Sequence, residues 1–283
     1  MLVGGTRGIG LFAAVTLVRN GASVTIVGRS PKSAESALQA LKKAAVGQSQ
    51  RINYIQGDFS TVKESFNSVE NIKKTGIKYD FMVVTVGVWP DWDAPLNVDG
   101  IEKSFAVNVV GRFVLFQTCT EFLSPKAQIL NVLNSAHHPL IELDKELITG
   151  QKNFTQFTQI LFTSSLVNDL VLLKLSEKWK EEGLQLRLMG NAPGWVKTDL
   201  HVNQGTLIQS LVPLLDYIAG VPEEKVGINH ATILGYPWGL ENPYLVDEFM
   251  IVRSPSPKLL EIANQHKDWV WAHLEQLLSK HKD

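Results

Sequence analysis

The sequence holds a single cysteine, Cys119, which excludes an internal disulfide and a cysteine-rich metal centre. Cys119 lies in the apolar run VLFQTCTEFL and reads as a packed position. Net charge is almost absent: 27 Lys and Arg against 28 Asp and Glu leave −1, so nothing draws the chain to nucleic acid or an anionic lipid surface. No uninterrupted apolar run approaches the ~18 residues of a membrane span. The first residues already form a motif rather than a leader, so a soluble chain in a reducing compartment, the cytoplasm, is the expectation. Tyrosine is missing from the middle of the chain, with none between Tyr79 and Tyr217.

What is present is an alternation of short apolar runs with amphipathic stretches. LFAAVTLVRN reads as a helix, SVTIVGR as a strand, SAESALQALKKA as a helix, RINYIQGD as a strand and TVKESFNSVENIKK as a helix. YDFMVVTVG (strand), a long helix over 99–123 and AQILNVLNS (strand) follow. The second half adds a helix over 157–180, the strand GLQLRLMGNAPG, the helix PEEKVGINHATILG and a last strand YLVDEFMIV. This spacing predicts an α/β fold, a doubly wound parallel sheet (Rossmann fold) in one domain over 1–283. An apolar insert over 199–220 is placed as a substrate lid, and an amphipathic tail helix over 256–281. Only MLV precedes Gly4, shorter than a usual central strand of five or six residues, so an upstream segment is expected to be missing.

VGGTRGIG at 3–10 follows a strand stub and opens a helix. Glycines there let the backbone turn sharply and approach a pyrophosphate, which rests on free helix N–H groups. About 20 positions later such units carry an acidic residue for the ribose 2′-OH of NAD. Here Gly28 and Arg29 stand there, and Arg7 lies inside the glycine loop. Two guanidinium groups and no carboxylate suit a 2′-phosphate, so NADP(H) is the expected cofactor.

Taken together these segments resemble the short-chain dehydrogenase/reductase family over essentially the whole chain. VGGTRGIG resembles its TGxxxGxG turn, GDFS at 57–60 its adenine-contacting segment, and FAVNVVG at 105–111 its helix motif. ILNVLNSAHH at 129–138 resembles the strand ending at the catalytic Ser, most closely in the retinol-dehydrogenase-like branch, and NAPGWVKTDL the PGxVxT loop over the nicotinamide. The resemblance implies cofactor contacts at Gly4, Thr6, Arg7, Gly8, Ile9, Gly10, Arg29, Asp58, Phe59, Gly87, Asn108, Pro193, Gly194, Val196 and Thr198. It implies an Asn at 108 that anchors a proton-relay water, no metal, a small-molecule substrate and a homo-oligomer paired through the helices at 99–123 and 157–180.

Three departures bear on chemistry. The NNAG element is VTVG at 84–87, keeping Gly87 but losing the Asn side chains that tie strands together. Direct alignment puts Asn134 on the catalytic Ser, which Ser135 reaches by a one-residue shift; either side chain can hold a carbonyl oxygen. In ILFTSSLVNDL, setting Asn168 on the Asn that follows the YxxxK motif puts Leu161 on Tyr and Ser165 on Lys. Lys174, about 13 Å further along a helix, is too far to stand in for the Lys. The candidate catalytic set is therefore Asn108, Asn134 and Ser135. His137 and His138, which titrate near neutral pH, are a candidate proton source, although paired His here also resemble the retinol-dehydrogenase-like branch where Tyr does the work; Lys197 and His201 flank the nicotinamide loop, and Asp169 reads as a helix-interface residue. Two functions remain open: an NADP(H)-dependent oxidoreductase for a carbonyl or alcohol of a lipophilic small molecule with a non-standard proton donor, or a cofactor-binding homologue without hydride chemistry, whether pseudoenzyme, isomerase or cyclase.

Overall fold

In a computed structural model the described residues are 1–283 except 92, 94, 134–141, 152, 155–156, 198–211, 214–215, 219, 236–243, 248 and 282–283. The first half runs β1 (Leu2–Val3), α1 (Gly8–Arg19), β2 (Val24–Gly28), α2 (Pro31–Ala44), β3 (Ile52–Gln56), α3 (Val62–Lys73) and β4 (Tyr79–Val84). Next come α4 (Lys103–Phe105), a π-helical turn (Ala106–Gly111), α5 (Arg112–Thr118), β5 (Leu123–Val132), α6 (Lys145–Ile148) and α7 (Phe157–Glu181). The remainder is β6 (Arg187–Asn191), β7 (Val196–Lys197), β8 (Val221–Pro222), α8 (Glu223–Gly235), β9 (Tyr244–Val246), β10 (Val252–Arg253) and α9 (Pro257–His281).

Eight strands form one sheet in the order β10-β9-β6-β5-β4-β1-β2-β3. All its pairs are parallel except β10 on β9. The chain order reverses between β1 and β4, and in such sheets ligands bind outside the carboxyl ends of the strands at that point. Strands such as VTIVG are buried along nearly their whole length because helices cover both faces. One face carries Val69, Phe113, Leu170 and Trp271 in its core; the other carries Ala13, Val18, Leu41 and Ile233. Side chains set the helix starts locally. Ser30 Oγ accepts from Ser33 N ahead of Pro31, and Thr61 Oγ1 accepts from Glu64 N.

Two expected elements differ from those observed. The helix expected over 99–123 starts at Lys103 and passes through a π turn at Ala106–Gly111. Glu102 stops it earlier, its carboxylate accepting from Ser104 N and Phe105 N as an N-cap. The strand read through YLVDEFMIV is broken into a hairpin. Asp247 Oδ1 accepts from both Phe249 N and Ile251 N, and Met250 turns the chain at φ 65°.

The tail helix α9 lies along α7. Leu259, Ile262, Ala263, Val270, Trp271, Leu274 and Leu278 form its buried stripe. Trp271 packs edge-on against Phe113 at 4.9 Å, Lys178 sits over the Trp271 ring at 5.3 Å, and Asp268 pairs with Lys174 at 2.5 Å. The apolar surface of α5 and α7, on which the expectation of subunit pairing rested, is thus covered from within the chain. No helix among the described residues is long and apolar enough to cross a membrane.

Candidate functional site

The glycine turn is built against the ends of β2 and β4. Gly4 N donates to Val27 O at 2.9 Å, and Thr85 N and Val86 N both donate to Val3 O. Gly4 at φ +93° and Gly8 at φ +54° adopt backbone that other residues rarely reach. At Gly10 the constraint is space: a Cβ would stand 2.5 Å from both Gly4 O and Thr85 Oγ1. α1 therefore begins flush against the turn. Its N-cap, Arg7, makes no capping bond, and its first turn holds no acidic residue. Amide groups that helices usually satisfy with a side chain are left for an anion, at the positive end of the dipole.

The two arginines border the same cleft. Thr6 Cγ2 lies 2.6 Å from where a Cβ on Gly28 would be, so the glycine loop touches the end of β2. Arg7, next in sequence, donates through Nε and Nη2 to Ser33 Oγ at 3.1 and 2.8 Å; the side chain of Arg29 is exposed. Asp58 is half-buried, with Oδ1 accepting from Ser60 N at 2.9 Å. Phe59 is buried in the core, so only its backbone is free to serve a cofactor. A dinucleotide fits this donor set: a glycine cradle, an uncapped helix start and two guanidinium groups.

Past β4, the side chain of Asn108 closes the turn around Gly87. Its Oδ1 accepts from Val88 N at 3.0 Å and its Nδ2 donates to Val88 O at 2.9 Å. Asn108 sits in the π turn, and its carbonyl accepts from Asn168 Nδ2 at 2.8 Å. The backbone of Asn108 is thus held by α7. Asn168 Oδ1 in turn accepts from Asn131 Nδ2 at 3.3 Å, and Asn131 Oδ1 accepts from Arg112 Nη1. Arg112 also donates to Val132 O at 2.9 Å and, through Nε at 3.1 Å and Nη2, to Val86 O. One guanidinium ties the ends of β4 and β5 where the NNAG asparagines are missing. Arg112 and Asn131 were not singled out from the sequence. The signal is there: each is a lone polar residue in an otherwise apolar run, VVGRFVLF and ILNVL.

On α7 the positions aligned with Tyr and Lys carry no acid. Leu161 is half-buried, and its carbonyl accepts from Ser165 Oγ at 2.9 Å. Ser165 has no exposed surface, and Asp169 is buried on the same helix. Lys174 faces α9, bound to Asp268, away from the cleft. Asn134, Ser135, His137, His138, Thr198 and His201 lie outside the described residues, as does most of the 199–220 insert.

The opposite wall is the loop after β6. Pro193 is half-buried and Gly194 sits at φ +73°. Trp195 Nε1 donates to Asp216 Oδ1 at 2.8 Å, and β7, which carries Val196 and Lys197, pairs in parallel with β8. Trp195 also meets Trp89, from the segment after β4, edge-on at 5.4 Å. Beneath this loop His230, buried and pushed down to a pKa of about 3 by desolvation, stays neutral and donates through Nε2 to Asn191 Oδ1 at 2.7 Å.

Comparison with known proteins agrees with this architecture. The family model for short chain dehydrogenase matches residues 1–138. The "Short-chain dehydrogenase TIC 32 A, chloroplastic" of Brassica napus is 27% identical over 220 residues, covering 72% of this chain and 66% of that protein. The chain thus spans just under two thirds of that relative's length. Among solved structures, a protein from Mycobacterium paratuberculosis superposes with TM-score 0.70 at 19% identity, covering 98% of this chain and 92% of that one. A short-chain type dehydrogenase/reductase from Mycobacterium ulcerans gives 0.61 at 21% identity, covering 90% of each. Motifs, relatives and fold agree in likening the chain to the short-chain dehydrogenase/reductase family, whose model matches residues 1–138.

Proposed function

We propose that the protein is an NADP(H)-dependent oxidoreductase acting on a carbonyl or alcohol of a lipophilic small molecule. The observation that carries this is the glycine turn with its uncapped helix start, flanked by Arg7 and Arg29 where an NAD-binding unit would place a carboxylate. When bound, the dinucleotide supplies the hydride. The chain's own groups hold its phosphates on the α1 amides, grip the 2′-phosphate with guanidinium forks, and wall the cleft with Gly87 and the 193–196 loop. Trp89 and Trp195 give the cleft an aromatic rim suited to an apolar substrate. Reduction also needs a proton on the new alkoxide. With Leu161 and Ser165 on α7, that proton comes from water or from outside this helix, His137 and His138 directly after Ser135 being the candidates.

The sealed state of Ser165 favours a second reading, in which the cofactor is bound but no hydride moves. Deuterium-labelled NADPH decides between them. Transfer of label to any of a panel of aldehydes and ketones supports the oxidoreductase; none, with cofactor binding confirmed, overturns it. Cofactor choice is tested apart from turnover. NADPH is expected to bind at least about tenfold more tightly than NADH, about 1.4 kcal/mol, and Arg29→Asp to reverse the order in a calorimetric titration. Equal wild-type affinities would remove the basis for NADP(H).

A further inference from the structure

Arg112 is 1% exposed, and its hydrogen bonds run to neutral acceptors: Val86 O, Val132 O and Asn131 Oδ1. Among the described residues no carboxylate pairs with it. Desolvation pulls its pKa down to about 9, so it remains a cation at neutral pH. Burying a lone charge is costly, and an apolar side chain of similar size would fill the same space with less penalty. Interstrand hydrogen bonding alone also does not require charge, since an amide can bridge two carbonyls.

The position of the charge is specific. Arg112 Nη2 lies 3.4 Å from where a Cβ on Gly87 would stand, and Asn108 Oδ1 lies 3.1 Å from the same point. The guanidinium therefore forms the floor of the Gly87 segment, between the carboxyl ends of β4 and β5. Its acceptors are neutral, so its field is not cancelled locally, and in a protein interior such a field acts over several ångströms.

We propose that Arg112 biases the bound cofactor toward its reduced form. The inference rests on the NADP(H) reading above. The oxidised nicotinamide ring carries a positive charge and the reduced ring carries none, while the phosphates are common to both, so a fixed cation beneath the cleft disfavours NADP+ relative to NADPH. Such a bias raises the reduction potential of the bound cofactor and makes NADPH the form the chain holds in a mixture of the two. Arg112 acts here as a positioning residue for charge, with no bond to substrate required.

The test is the ratio of the NADP+ and NADPH dissociation constants, measured by calorimetry on the full chain. The wild type is expected to bind NADPH more tightly. Arg112→Lys keeps the charge and should keep the ratio within about twofold, whereas Arg112→Met should lower it about three- to tenfold, a modest fraction of a close Coulomb interaction. Arg112→Gln, neutral but still a hydrogen-bond donor, provides the same comparison in a chain that keeps polar ties to Asn131 and Val86. A role in holding the strands alone would weaken both forms equally; an unchanged ratio in the neutral variants overturns the proposal. A shifted ratio in a protein that moves no labelled hydride would sustain it while overturning the oxidoreductase reading.

Discussion

Gly10→Ala is expected to weaken NADPH binding by at least about 100-fold, close to 2.7 kcal/mol. The added methyl would stand 2.5 Å from Gly4 O and from Thr85 Oγ1. Gly4 is backbone held by its own bond to Val27 O, so it cannot simply swing away. α1 must back off from the turn, and its first amides then no longer converge on the pyrophosphate. The loss should fall on binding far more than on secondary structure, so far-UV circular dichroism recorded beside the titration separates the two. Gly235→Ala is the control, since a Cβ there meets nothing within 4 Å. Unchanged NADPH affinity in Gly10→Ala would mean that the cofactor does not use this turn.

Trp271→Ala should destabilise the protein by about 3–5 kcal/mol, in the range for deleting a buried aromatic. The indole is 5% exposed, meets Phe113 edge-on, lies under Lys178 and donates from Nε1 to Glu275 Oε1 at 2.8 Å. Its loss opens the join between α9 and the α5–α7 surface. Urea unfolding followed by tryptophan fluorescence reads the shift, and a change below about 1 kcal/mol would show that α9 is only loosely held. The same contact bears on assembly. A face already covered by α9 is closed to a second copy, so light scattering at micromolar concentration is expected to give no dimer through α5 and α7. A wild-type dimer disrupted by substitutions on the exposed face of α7 would refute this, and the family-based expectation of pairing through these helices would stand.

Several features were fixed by local sequence. The alternation of apolar runs with amphipathic stretches specified a doubly wound sheet, because strand and helix periods are set by neighbouring residues. The glycine spacing at 4, 8 and 10, the exchange of a carboxylate for Arg29, and the absence of Tyr and Lys at 161 and 165 could be read directly. Each depends only on residue type at a given offset. Other features were decided by tertiary structure. Arg112 reaches Asn131 across 19 positions, and Asn131 reaches Asn168 across 37; the spacing of neither pair hints at contact. Gln117 on α5 meets Glu275 at a separation of 158, in a contact that ties α9 to α5. A buried polar group must find a partner, yet nothing local says which. An amphipathic helix must bury its stripe, yet its pattern is the same whether the surface it covers belongs to its own chain or to a second copy. The break in YLVDEFMIV is similar: the apolar run favours a strand, and the Asp247 carboxylate, satisfying two amides at once, turns it into a hairpin whose second strand closes the edge of the sheet.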